Sequence, residues 1–199
     1  MESSLAREHV MLTERVKEQN CLSTVFALTE DTRTPMEEQL GKVAGVIPTG
    51  WFYPEITVAR IEYDGMVVDT PGFVETPWRQ TAEATTKQGE TFRLSVAYSE
   101  ERPPLEEGPF LREERTLINA IVHRLAEKAD RRHAEEGLRD TLERYRLISE
   151  NTNDEIWILD LPTMKFTYMS PSVFRMRGYT PETAMALSVS YTTLTLPTI

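Results

Sequence analysis

The stretch "ITVARIEYDGMVVDT", Ile56–Thr70, decides the fold because two strand-forming segments flank Asp64-Gly65. β-Branched and aromatic residues favour strands, and Asp-Gly between two such segments is the strongest short signal for a hairpin turn. A second hairpin is predicted around "KQGE", 87–90, after which large apolar side chains alternate with smaller or polar ones: Phe92, Leu94, Val96 and Tyr98 against Arg93, Ser95, Ala97 and Ser99. The two hairpins predict an antiparallel sheet with one buried face.

Helical segments lie on both sides of these strands. Residues Ser3–Leu28 contain neither Pro nor Gly and are rich in strong helix formers. A second helix is predicted to begin at Pro35, with Thr34 as its cap, and a long helix is predicted to begin near Pro109. The predicted fold class is therefore α+β, an antiparallel sheet flanked by N- and C-terminal helices and followed by a long connecting helix.

The long helix changes character after Leu125, where its apolar face narrows. Over 129–148 charges of both signs surround a thin stripe of Leu138, Leu142 and Tyr145. Charges of both signs around so thin a stripe are typical of a solvated or coiled-coil helix, and the stripe buries little area unless another helix covers it. We predict a helical linker over this segment, with these three residues as a homodimer seam.

Composition excludes several classes of partner. The chain of 199 residues has 22 basic and 32 acidic side chains and a formal charge of -10, which disfavours binding to nucleic acids or anionic membranes. A single cysteine allows no internal disulfide, and no apolar run approaches the roughly 18 residues of a membrane span. We therefore expect a cytoplasmic protein without a membrane segment.

The usual reactive residues form no recognisable catalytic pattern. His9, His123 and His133 all lie on predicted helices, and we interpret His123 as a surface residue and His133 as a solvated linker position. Cys21 is interpreted as a small buried hydrophobe, and the charged segments "EERPPLEE" and "REER" as solvated. The nine glycines are scattered without a phosphate-binding motif. No catalytic, cofactor-binding or metal-binding residue is predicted.

The aromatic residues beside the predicted strands are the candidates for a ligand pocket. Trp51 and Tyr53 precede the first strand, and Trp78 stands at the entrance of another. Packing of these rings against the sheet explains their positions equally well. Both interpretations stay open at this point.

Two parts of the chain resemble known domain families. The segment "LRDTLERYRLISENTNDEIWILDLPTMKFTYMSPSVFRMRGYTPE", 138–182, resembles the start of a PAS domain that follows a signalling helix in bacterial sensor histidine kinases. Residues from about Arg15 to Lys128 resemble a GAF-like domain, chiefly through "IPTGWFYPEITVARI", 47–61, and "AYSEERPPLEEGPFLREERTLINAI", 97–121.

The resemblance implies a division of the chain into four parts. Residues 1–128 would form a GAF-like sensory or dimerisation domain, 129–148 a signalling linker, and 149–187 the N-terminal part of a PAS domain. A complete PAS sheet has five strands, of which the sequence supplies the first two. Because the chain from Thr183 onward carries no charged residue, we interpret 188–199 as a non-native tail; the alternative is a native strand or polar tail.

The function implied is signal transduction in a two-component system. A conformational signal would pass from the GAF-like domain through the linker to the PAS domain and to a kinase module in cis, with a response regulator downstream. The resemblance places no chromophore cysteine and no haem histidine in this chain, so no cofactor is expected. This chain is predicted not to be an enzyme, whereas its full-length parent would be a histidine kinase. The alternatives are a stand-alone dimerisation or ligand-binding module, or the input region of a cyclase or transcription regulator.

Overall fold

The computed structural model describes residues 2–31, 34–151 and 154–186, with side chains from Met11 onward. Its contacts divide the chain into two compact units, Met1–Ala134 and Glu135–Ile199. The predicted tail, 188–199, and the side chain of His9 lie outside the described residues. The chain is α+β as predicted, with a four-stranded antiparallel sheet and a long helix.

The sheet belongs to the first unit, and its neighbouring strands are all antiparallel in the order β2-β1-β4-β3. Both predicted hairpins, β1 with β2 and β3 with β4, are confirmed. Asp64 and Gly65 have φ angles of 46° and 77°, the positive values that a tight two-residue hairpin turn requires. The strands are β1 Thr57–Tyr63, β2 Met66–Asp69, β3 Arg79–Thr85 and β4 Thr91–Tyr98.

Three helices accompany this sheet: α1 Glu2–Glu30, α2 Met36–Val46 and α3 Arg112–Asn151. The predicted start of α2 was wrong by one residue, because Pro35 occupies the cap position and the Thr34 hydroxyl donates to the Asp31 carboxylate instead. The predicted start of α3 was three residues early, since residues 107 and 110 pair in a short bridge before the helix begins.

The core of the first unit lies between one face of the sheet and the three helices. In β4 the predicted alternation places Phe92, Leu94 and Val96 in the core, fully buried. Ala97 is buried as well, although it belongs to the other face of the strand. The helices contribute Cys21 and Val25 from α1, Leu40 and Val43 from α2, and Leu117, Ile118, Ile121, Val122, Leu125 and Ala129 from α3.

Helices α1 and α3 run in the same direction. Near one end of their contact, Gly50 lies close to both Cys21 and Leu117. Near the other end, the Arg124 guanidinium donates to the Thr29 hydroxyl at 2.9 Å and to the Glu30 carboxylate at 2.7 Å. Residues 21 and 117 therefore lie near one end of the contact, and residues 29–30 and 124 near the other. This order makes the two helices parallel, so the N-terminal part of α1 and the C-terminal part of α3 extend from opposite ends of the contact.

The second unit contains a two-stranded antiparallel sheet and two short helices besides the end of α3: β5 Trp157–Asp160, β6 Lys165–Met169, α4 Ser172–Arg177 and α5 Pro181–Ala186. Both predicted strands are confirmed. Only Met169, Val173 and Ala184 form a buried apolar cluster among the described residues of this unit. Outside α3, seven large apolar side chains of the described part of this unit are exposed: Trp157, Ile158, Leu161, Met164, Phe174, Met176 and Tyr179.

Candidate functional site

Two of the three aromatic residues singled out from the sequence, Tyr53 and Trp78, contact Tyr98 at the end of β4. The Tyr53 ring meets the Tyr98 ring edge-on, with the ring centroids 5.6 Å apart. The Trp78 carbonyl accepts the Tyr98 N–H at 3.0 Å. Trp51 is fully buried in the core, and its indole N–H has no hydrogen-bond partner among the described residues. The structure thus places all three predicted residues against one core, with Tyr98 in contact with two of them.

A buried carboxylate, that of Glu114 on the first turn of α3, ties this region together. Its Oε1 atom accepts the Phe52 N–H at 2.8 Å and the Tyr98 hydroxyl at 2.9 Å. Its Oε2 atom accepts the N–H of Leu111, the residue preceding the helix, at 2.6 Å. An acidic side chain at the third helical position commonly reaches back to the first free N–H in this way. Glu114 therefore caps its own helix and anchors two other segments.

The interpretation of "REER" as a solvated segment was wrong for Glu114, whose side chain is 1% exposed. Burial raises the pKa of the Glu114 carboxyl, and the hydrogen bonds from Phe52, Leu111 and Tyr98 only partly oppose this effect. Burial also raises the pKa of the Tyr98 phenol, which keeps it protonated as a donor. The helix-capping position was the sequence signal that could have identified Glu114.

The raised pKa of Glu114 predicts a pH dependence of stability. A carboxyl whose pKa is higher in the folded than in the unfolded protein binds protons more tightly when folded. Its contribution to stability therefore falls as pH rises from its unfolded-state pKa to its folded-state pKa. The free energy of unfolding of the wild type, minus that of Glu114→Gln, should therefore increase as pH is lowered from neutral towards the ordinary pKa of a glutamate side chain. Urea midpoints of both proteins at several pH values measure this difference; a constant difference would contradict the prediction.

The histidines and the cysteine occupy different environments. Cys21 is buried as predicted, and burial raises the pKa of its thiol to about 11, so it stays protonated at neutral pH. His123 is exposed, as predicted. The interpretation of His133 as a solvated position was wrong, because it is only partly exposed and its Nδ1 lies 3.7 Å from the Glu90 carboxylate. The β3–β4 turn reaches α3 at this point.

The predicted dimer seam lies on the part of α3 that belongs to the second unit. Leu138, Leu142 and Tyr145 are 63%, 61% and 61% exposed. Ile148, 60% exposed, extends the same stripe by three residues. Every residue from 134 to 148 is exposed, so no part of the described chain covers this apolar stripe.

The opposite, outer face of the four-stranded sheet carries an ion-pair network that sequence reasoning missed. Arg93 on β4 lies between carboxylates of both neighbouring strands, at 2.6 Å from Glu83 and 3.4 Å from Glu62. Arg60 on β1 makes two hydrogen bonds to Asp69, at 2.7 and 2.8 Å. Cross-strand charge pairs stabilise a sheet and keep its open face polar.

The described residues were also searched for metal sites and membrane-spanning helices, and the chain was compared with known proteins. Among the described residues no group of histidine, cysteine and acidic side chains could hold a metal ion. None of the helices in the described part of the chain has the length and apolar character that a bilayer crossing requires. Comparison with protein families, with curated proteins and with solved structures found no match to this chain.

Proposed function

We propose that this chain is a signal-transduction module: a GAF-like first unit, a helical linker and the first part of a PAS domain, from the input region of a sensor histidine kinase. The observation that carries the proposal is the uncovered apolar stripe of Leu138, Leu142, Tyr145 and Ile148 on α3. Such a module works by pairing with a second copy through its helices and transmitting changes in their packing.

The stripe supports pairing on energetic grounds. Fully burying a leucine-sized side chain is worth about 1.5–3 kcal/mol, and the described chain buries none of these four. The steps of four and three residues between Leu138, Leu142 and Tyr145 are those of a coiled-coil seam, and Ile148, three residues further, lies beside that seam. A second copy of α3 is the simplest partner, since it presents the same stripe.

The shared direction of α1 and α3 supports a relay. A change in the packing of the sheet that moves α1 would be passed to α3, because Arg124 and Lys128 hold α3 to the end of α1. Small helix shifts of this kind are a common way to pass a conformational signal. Since α3 continues as one helix to Asn151, a displacement at its start is carried along its length.

The two domain assignments rest on the order of elements. The first unit has an antiparallel sheet with its N-terminal and long helices on one face, and the second has a hairpin followed by two short helices. The described part of the second unit exposes seven large apolar side chains outside α3, which supports its being completed by further strands. We infer a cytoplasmic homodimer whose kinase module lies in cis and acts on a response regulator.

The first test is the oligomeric state of the whole chain. We expect the wild type to be a dimer by sedimentation at micromolar concentrations, and the double variant Leu138→Glu/Leu142→Glu to be a monomer. Arg144→Glu is the matched control, because it makes the same charge change at an exposed position off the stripe and should stay dimeric. A monomeric wild type, or equal behaviour of the two variants, contradicts the pairing.

A mixing experiment tests the geometry of the seam. Leu138→Lys/Leu142→Lys should also be monomeric alone, and an equimolar mixture of the Lys and Glu variants should form heterodimers because opposite charges then face each other. Absence of heterodimers would count against direct contact between the two stripes.

The alternatives differ in the kind of domain that the gene encodes after the PAS segment. Sequencing the source gene beyond the codon for Leu187 distinguishes a histidine-kinase module from a cyclase or a DNA-binding domain. A stand-alone regulatory module remains the alternative if the reading frame ends at the present terminus.

A further inference from the structure

We propose that the contact between the β3–β4 turn and α3 is a pH-sensitive latch, which closes when His133 gains a proton and pairs with Glu90. The turn comprises residues 86–90, and His133 is the last residue but one of the first unit. The latch depends on contacts within the first unit alone. Its meaning as an input to the linker rests on the function proposed above, since α3 continues from this point as one helix to Asn151.

The turn is docked on α3 by its backbone. The Lys87 N–H donates to the Asp130 carboxylate at 2.8 Å. Within the turn, the Thr86 N–H donates to the Glu90 carbonyl at 2.8 Å, and the Thr86 hydroxyl oxygen accepts the Glu90 N–H at 3.1 Å. These bonds tie the two ends of the turn together, so the contact with Asp130 holds Glu90 against the helix as well.

The Glu90 carboxylate is positioned from the sheet. Its Oε2 atom accepts the Tyr63 hydroxyl at 2.6 Å, and the Tyr63 ring stacks on Phe92 with the centroids 3.8 Å apart. Both rings belong to the core of the first unit. Burial and the hydrogen bond to Glu90 raise the pKa of the Tyr63 phenol, which therefore stays protonated as a donor. The place of the carboxylate is thus set by β1 and not by α3.

His133 faces the same carboxylate oxygen from α3. Its Nδ1 atom lies 3.7 Å from the Glu90 Oε2 atom, is shielded from solvent and has no hydrogen-bond partner among the described residues. A hydrogen bond from nitrogen to oxygen requires a separation of about 2.7–3.2 Å. The two groups therefore face each other without a hydrogen bond between them.

Protonation of the imidazole supplies the missing bond. A neutral imidazole carries hydrogen on one ring nitrogen only, whereas an imidazolium donates from both. The charged Nδ1–H would donate to Glu90 at about 2.7–2.9 Å, the length of a charge-assisted hydrogen bond, which draws the turn and α3 together by about 1 Å. Histidine is the side chain whose charge ordinarily changes between about pH 5 and 8. The attraction is therefore present at the acidic end of this range and is lost as pH rises through it.

The other charged and titratable groups at this contact come from all three segments that meet there. They are Tyr63 and Asp64 of the first hairpin, Lys87 of the turn, and Asp130, Arg132 and Glu136 in the neighbouring turns of α3. None of these residue types ordinarily changes its charge between about pH 5 and 8. A change of the contact within that range consequently reports on His133.

The test is a double-mutant cycle of urea unfolding on the full chain at one protein concentration, with His133→Gln, Glu90→Gln and both together. Gln at position 90 keeps an acceptor for the Tyr63 hydroxyl and removes only the charge. At about pH 5.5 we expect a coupling of about twofold to fivefold in the unfolding equilibrium constant, and at about pH 8 none. The titration of Glu114 is common to all four proteins and cancels in the cycle.

His123→Gln is the matched control, since it removes the exposed histidine of the same helix. In a cycle with Glu90→Gln it should show no coupling at either pH. NMR gives a second readout: the Lys87 amide resonance should shift between the two pH values in the wild type and not in His133→Gln.

Three results would overturn the latch: equal coupling of His133 and Glu90 at both pH values, no coupling at the acidic one, or a Lys87 shift that persists in His133→Gln. These outcomes differ from a failure of the function proposed above, which the oligomeric state tests. A monomeric protein with pH-dependent coupling would contradict the pairing of α3 and leave the latch in place.

Discussion

Replacing Glu114 by alanine is expected to lower the free energy of unfolding of the first unit by about 3–5 kcal/mol. The substitution leaves three donors without their acceptor: the N–H groups of Phe52 and Leu111 and the Tyr98 hydroxyl. Each buried donor left unsatisfied costs about 1–3 kcal/mol, and the three losses are not additive. Urea unfolding followed by tryptophan fluorescence measures the change, because Trp51 lies in this core.

Two other substitutions isolate the cause. Glu113→Ala removes a carboxylate from the neighbouring, exposed position of the same helical turn and should change stability by less than about 0.5 kcal/mol. Tyr98→Phe removes only one of the three donors and should cost about 0.5–1.5 kcal/mol. If Glu113→Ala were as harmful as Glu114→Ala, the effect would come from helix-terminal charge rather than from the buried hydrogen bonds.

Local sequence signals predicted the strands and the long helices, although the predicted starts of α2 and α3 were wrong by one and three residues. Asp64-Gly65 and the alternation in β4 predicted both hairpins, because turn geometry and side-chain alternation are set by residues a few positions apart. The order β2-β1-β4-β3 could not be predicted in this way. It depends on the pairing of β1 with β4, whose partners are far apart in the sequence.

The features of the candidate sites likewise divide into those that local sequence predicts and those that depend on residues far apart in the chain. The partners of Glu114 at positions 52 and 98 come from distant segments, so a charged run that looked solvated contains a buried anchor. The ion pairs of Arg60 and Arg93 on the outer face depend on the register of the four strands, which no local pattern reveals. The stripe on α3 was visible in the sequence because helical spacing alone defines it, and the structure places its side chains in solvent.

Gly50→Ala is expected to destabilise the first unit by about 3 kcal/mol, because Gly50 lies tightly between Cys21 of α1 and Leu117 of α3. A Cβ atom built on Gly50 would lie 2.8 Å from both the Cys21 Cβ and the Leu117 Cδ2, and 2.9 Å from the Cys21 Sγ. Carbon atoms prefer separations of about 3.5–4.0 Å, and overpacking of a close-packed core typically costs about 1–3 kcal/mol. The φ angle of Gly50 lies outside the left-handed region, so the requirement is for space alone.

Gly45→Ala is the matched control, since a Cβ on Gly45 of α2 meets nothing within 4 Å. Its expected effect is a gain of about 0.5–1 kcal/mol, because alanine favours the helix over the unfolded chain. Leu117→Ala tests the direction of the clash: combined with Gly50→Ala it should cost clearly less than the sum of the two single changes, since the added methyl group fills space that the leucine vacates. If the two losses of stability were additive, the steric clash of the Gly50→Ala methyl group would be with Cys21 of α1 rather than with Leu117. A neutral Gly50→Ala would mean that α1 and α3 are not held at this distance, and the relay through their contact would lose its physical basis.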